Sequence, residues 1–258
     1  MGESALVTGA TAGIGAHFAR LLASKGYHVV LVARDGQRLQ EMSEKLATDY
    51  GMTSEIIQAD LSTADGLKRV EDRVSSATSP IGVLVNNAGF GINKSFLVSD
   101  INAEQQLLDV LVKAPMRLMH AVLPVMKENN RGIIINVSSV AGWIAGGTYS
   151  AAKSYLTVIS ESLHTELSNT PITVMALCPG FTRTEFHERG RMKMTGLPNF
   201  MWLSADRVVK QAWSDAKRGQ AISVPGWQYW ILSTVSRFGP RPLVRKIGMN
   251  VHKKQRHK

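Results

Sequence analysis

LVTGATAGIGAHFARLLA, residues 6–23, passes from an apolar run into a segment of helical period through a turn holding Gly9, Gly13 and Gly15. Glycines at such a junction permit a tight turn and let backbone N–H groups approach a phosphate at the helix N-terminus. The same glycines serve mere strand–helix packing when they stand alone. What surrounds them decides between the two.

The surroundings alternate. Residues 4–8, 28–33, 54–60, 82–86, 132–138, 172–178 and 220–224 are short, Val- and Ile-rich runs that mostly lack polar alternation. Such runs read as strands buried on both faces. Residues 13–25, 36–50, 63–77, 103–128, 148–168 and 205–218 carry helical periodicity between them. Seven strands alternating with helices predict a single-domain α/β Rossmann fold: a doubly wound, seven-stranded parallel sheet with helices on both faces. No repeat or linker divides the chain, so residues 1–226 form one dinucleotide-binding and catalytic domain and 227–258 a basic C-terminal extension. Two segments break the rhythm. SSVAGWIAGGT after the fifth strand predicts a Gly-rich loop, and 181–203 a long substrate lid. Long loops beyond the carboxyl ends of strands are where such sheets bind ligands.

At 258 residues, 44% hydrophobic and 19% charged, the composition is that of a globular protein with a full core. No window reaches the ~18 uninterrupted apolar residues of a membrane span. MGESALVTGA has neither the basic nor the apolar region of a secretory leader. The single cysteine, Cys178, excludes an internal disulfide framework and a cysteine-based metal site. These features predict a cytoplasmic protein. The net charge of +10 lies at one end: residues 1–215 balance, whereas the 43 residues after Asp215 hold ten Lys or Arg and no acid. A solvated basic tail accounts for this. The aromatic WQYWILSTVSRF upstream of it leaves open a second reading, peripheral contact with an acidic membrane surface or partner. The body shows no basic patch that would predict nucleic-acid binding.

The second strand ends in LVARD, with Ala33 and Arg34 where an acidic residue would bind ribose hydroxyls. A guanidinium there neutralises a 2′-phosphate, which favours NADP (NADPH) over NAD, unless Arg34 is only a solvated loop charge. Asp60 with Leu61 ends the third strand, and NNAG, with Asn87, Ala88 and Gly89, ends the fourth. In INVSSVAGWIAGGTYSAAKSY a strand delivers Ser138 and Ser139, and Tyr149 and Lys153 stand one turn apart on the next helix. A free phenol, with a pKa of about 10, is a poor acid or base near neutrality. A neighbouring ammonium, together with the positive charge of an oxidised nicotinamide, would favour the phenolate, and a serine hydroxyl could steady charge on a substrate oxygen.

Taken in order, TGATAGIG, NNAG, the Ser–Tyr–Lys residues and PGFTRT resemble the short-chain dehydrogenase/reductase family, its NADP-preferring 3-oxoacyl and ketone reductases in particular, over about residues 4–226. The resemblance implies Tyr149 as general acid/base and Lys153 as the residue that orients the nicotinamide ribose and lowers the tyrosine pKa. Ser139, rather than Ser138, would position the carbonyl or alcohol. It further implies cofactor contacts from Thr11 and Ile14 beside the glycines, and from Pro179, Gly180, Thr182 and Thr184 after the sixth strand. A homodimer or homotetramer paired through 103–128 and 148–168 is implied as well. Two departures stand out. Ser139 and Tyr149 are only ten residues apart, a shorter interval than the family's usual one. In DVLVKAP, Leu111 occupies the place of the asparagine that in the family holds a water linking lysine to solvent. The expected activity is hydride transfer between nicotinamide and a carbonyl/alcohol pair, in the reducing direction. Phe, Met and Trp in 181–203 suggest an apolar substrate, and Arg183, Arg189, Arg191 and Lys193 an acidic head group. Fatty 3-oxoacyl chains and bulky ketones both fit. A catalytically impaired NADP-binding regulator or scaffold is the alternative, resting on Leu111.

Overall fold

In a computed structural model of the chain, residues 3–186, 198–240, 242, 244 and 245 are described. Strands β1 (Ser4–Thr8), β2 (His28–Ala33), β3 (Ser54–Gln58), β4 (Ile81–Asn86), β5 (Gly132–Val137), β6 (Ile172–Leu177) and β9 (Ile222–Ser223) form one sheet. Its order is β3-β2-β1-β4-β5-β6-β9, and every pairing is parallel. A second, two-stranded sheet pairs β7 (Thr182–Arg183) with β8 (Leu203–Ser204) at the two ends of the expected lid. Residues 187–197, with Arg189, Arg191 and Lys193, lie outside the described residues.

The helices are α1 (Gly13–Ser24), α2 (Gly36–Tyr50), α3 (Ala64–Val74), α4 (Ile101–Leu108), α5 (Ala114–Glu128), α6 (Thr148–Glu166), α7 (Ala205–Lys217) and α8 (Trp227–Phe238). The segment expected as one helix over 103–128 is interrupted by a π-helical turn at Asp109–Lys113. Such turns often mark functional positions. The strand expected at 220–224 keeps only two residues, because Gly219, with φ of +69°, and Pro225 close it on both sides.

β1 and β4 are buried at every position, which explains the missing alternation. One face of the sheet is covered by Phe18, Leu22, Leu39, Leu46 and Trp213, from α1, α2 and α7. Leu67, Val70, Leu118, Val122 and Met126, from α3 and α5, cover the other. The chain winds outward from β1 to β3, then crosses back to place β4 on the other side of β1. That reversal opens a crevice at the carboxyl ends of β1 and β4, where doubly wound sheets take their ligands.

Candidate active site

The turn between β1 and α1 is built by steric necessity. Gly9 and Gly13 hold φ of +65° and +51°. A Cβ on Gly15 would lie 2.2 Å from the Gly9 carbonyl oxygen, so the turn closes only with glycine there. No side chain caps α1, and its first turn carries no acid. Its leading N–H groups and positive dipole end are therefore left to face an anion.

Two polar residues lock the tips of β1 and β4 together. Thr8 Oγ1 donates to the Val85 carbonyl and accepts from the N–H groups of Asn87 and Ala88, at 2.9 and 3.0 Å. Asn87 Nδ2 donates to the carbonyls of Thr8 and Gly9. Asn87 thus positions the glycine turn, a role its place in NNAG only hinted at; Thr8 opens the TGATAGIG motif but was given no role from the sequence. Asp60 accepts from the Ser62 N–H and hydroxyl, shaping the turn after β3. Arg34 is exposed at the tip of β2, its carbonyl tied to Gln58 Nε2 at 3.0 Å.

A single cleft of about 1010 Å³ takes in Gly9, Thr11, Gly13, Ile14, Arg34, Asp60, Leu61, Asn87, Ala88 and Gly89 at one end. It takes in Ser139, Tyr149, Lys153, Pro179, Gly180, Thr182 and Thr184 at the other. Gly15 does not line it and acts through packing. Ser138 and Ser139 separate by environment. Ser138, nearly fully buried, donates to the Lys153 carbonyl at 2.7 Å and is bonded to the Thr157 hydroxyl, fixing α6 on β5. Ser139 Oγ accepts from the Ala141 N–H at the start of a 3₁₀ turn and is hydrogen-bonded to the Tyr149 phenol. That turn, Val140–Trp143, draws the loop in and lets Ser139 and Tyr149 meet despite their short interval.

Burial dominates the electrostatics of the pair. Burial pushes the Tyr149 phenol up to about 12, opposed only by its hydrogen bond with Ser139. Lys153 is not among the causes of that shift. Its ammonium, 4% exposed, sits 5.6 Å from the centre of the Tyr149 ring and donates to the Val137 carbonyl at 2.6 Å. Burial pulls Lys153 itself down to about 8.

Leu111 lies within the π-helical turn, 1% exposed, with Cδ2 2.7 Å from where a Gly89 Cβ would stand. It packs with Leu107, Ala152 and the Tyr149 ring. Leu111 also walls a cavity of about 10 Å³ shared with Lys153, Thr8 and Asn86, and Asn86 Oδ1 has no hydrogen-bond partner there.

The C-terminal helix is the largest addition to the sequence reading. Tyr229, Leu232, Ser233 and Ser236 of α8 line the cleft, so 227–238 is a wall of the site and not part of an extension. Their spacing of three, four and seven is helical and was the available signal, masked by the aromatics between them. Tyr229 is fully buried, its hydroxyl accepting from the Phe181 N–H and donating to the Met201 carbonyl.

The short chain dehydrogenase family model matches residues 3–194. The chain belongs to the short-chain dehydrogenase family. It is an oxidoreductase with that family's single-domain fold. The very-long-chain 3-oxoacyl-CoA reductase of Rattus norvegicus is 33% identical over 192 residues, 72% of this chain and 61% of that protein's length. A short-chain dehydrogenase from Sphingobium yanoikuyae, solved in complex with NADPH, is 32% identical with a TM-score of 0.83, over 92% of this chain and 94% of the other. The bulky-bulky ketone specific alcohol dehydrogenase from Comamonas testosteroni is 31% identical with a TM-score of 0.79, over 92% of each chain.

Proposed function

We propose that this short-chain dehydrogenase is an NADPH-dependent reductase of bulky, apolar ketones, acyl-chain ketones among them. The observation that carries the reading is the convergence of Ser139, Tyr149 and Lys153 on the wall of a cleft that also holds Arg34 and the glycine turn. The dinucleotide end fits NADPH. The uncapped N-terminus of α1 suits a pyrophosphate, and Arg34 projects where a 2′-phosphate would need a cation. NADPH bound there would supply the hydride to the carbonyl carbon. The chain's own part is to hold the carbonyl oxygen on the Ser139 hydroxyl and to deliver the Tyr149 proton to that oxygen. Tyr149 carries its proton near neutrality, as the reducing direction requires of an acid. Lys153, near 8, can restore the proton afterwards.

The substrate end is apolar. Phe90, Ile92, Ile144, Phe186 and Leu232 line it, and the likeness to the bulky-ketone and 3-oxoacyl-CoA reductases supports that substrate class. A homo-oligomer paired through α4, α5 and α6 is part of the same proposal, supported by Ile101, Met116 and Val158 exposed on those helices.

Oxidation of NADPH is to be followed against a panel of diaryl ketones, steroid ketones and 3-oxoacyl thioesters, with Tyr149→Phe as control. Turnover on bulky members, reduced about 10²–10⁴-fold in the variant, is expected. NADPH binding without turnover on any member would sink the reading.

A further inference from the structure

We propose that the outer face of α8 docks this protein onto an anionic lipid bilayer. The helix is built inside out. Its inner face presents Tyr229, Ser233 and Ser236, all buried, beside Leu232. Its outer face presents Trp227 at 68% exposure, Trp230 at 62% and Phe238 at 81%, with Ile231 and Val235 half open. At about 100° per residue these five side chains fall in one stripe opposite the cleft. A surface helix ordinarily has the reverse polarity. Phe200, also exposed, lengthens the patch, since Gln228 Nε2 holds the Phe200 carbonyl at 3.0 Å beside the start of the helix.

Charge selects the occupant. Ten Lys or Arg and no acid follow Asp215, eight of them from Arg237 onward. A second copy seated on this face would bring two such basic sequences together, whereas an anionic headgroup layer neutralises them. Tryptophan and phenylalanine beside cations suit the boundary between headgroups and acyl chains. The 12 residues of α8 cover only ~18 Å. No described helix is long and apolar enough to cross a membrane, so the contact lies along the surface. Docked this way, the helix that touches lipid is the helix that walls the substrate end of the cleft.

The test is co-sedimentation of the full chain with vesicles of phosphatidylcholine alone and of equal parts phosphatidylcholine and phosphatidylserine. Wild type is expected on the mixed vesicles, less on phosphatidylcholine, with binding falling as salt is added. The double variant Trp227→Ser/Trp230→Ser, both residues outside the cleft, is expected to bind at least about tenfold more weakly. Its thermal midpoint should match wild type. Folded wild type that ignores both vesicles overturns the proposal. So does undiminished binding by the double variant, which would leave the basic sequence acting alone. A concentration-dependent dimer that the double variant dissolves, without vesicle binding, gives the face to a second copy and equally overturns it.

Discussion

The ring of Tyr229 fills the space a side chain on Gly180 would need: a Cβ there would lie 2.0 Å from Tyr229 Cε1. Residues 49 positions apart in the sequence thus share one site, which seats α8 against the segment after β6. Gly180→Ala is expected to cost about 1–3 kcal/mol by overpacking, read as a lower urea midpoint. Tyr229→Phe keeps the ring but leaves the Phe181 N–H and Met201 carbonyl without the hydroxyl. A milder loss, about 1 kcal/mol, is expected. Wild-type stability for Gly180→Ala would mean that α8 does not pack there.

Arg34→Ala should weaken NADPH about 10–100-fold by removing a charge-assisted contact to the 2′-phosphate, while NADH affinity stays unchanged. Equal weakening of both dinucleotides in a titration would reduce Arg34 to a general charge.

Lys153 gives a pH dependence with a defined sign. Its folded pKa is lowered to about 8 from 10.5 by burial. Below about 8 the ammonium is charged in folded and unfolded chains alike, and the folded state bears the whole desolvation cost. Between about 8 and 10.5 only the unfolded chain keeps the proton, so stability contributed at this site rises with pH. The thermal midpoint of Lys153→Met minus that of wild type should therefore be most favourable to the variant below pH 8 and shrink on approach to 10.5. A difference that stays flat across this window would show that the buried ammonium is not strained.

Leu111→Asn places an amide beside the small cavity that Lys153 and Asn86 share. A stability loss of about 2–4 kcal/mol from lost burial and polar desolvation, read as a lower thermal midpoint, is expected with a higher kcat and a shifted pH profile. If rate and profile do not move, the leucine is harmless to the proton path.

The seven strands and their alternation with helices, the glycine turn and the Tyr149–Lys153 pair were legible in the chain because each rests on local spacing. Burial on both faces shows as unbroken apolar runs, tight turns show as glycines, and one helical turn separates Tyr149 from Lys153. Tertiary structure alone decided the rest. It separated Ser139 from Ser138 physically, directing one hydroxyl to the Tyr149 phenol and the other into α6. Through desolvation, a property of the whole enclosure, it pushed the Tyr149 phenol up. It also turned α8 from the start of a basic tail into a wall of the cleft, because which face of a helix is inner depends on what lies across from it.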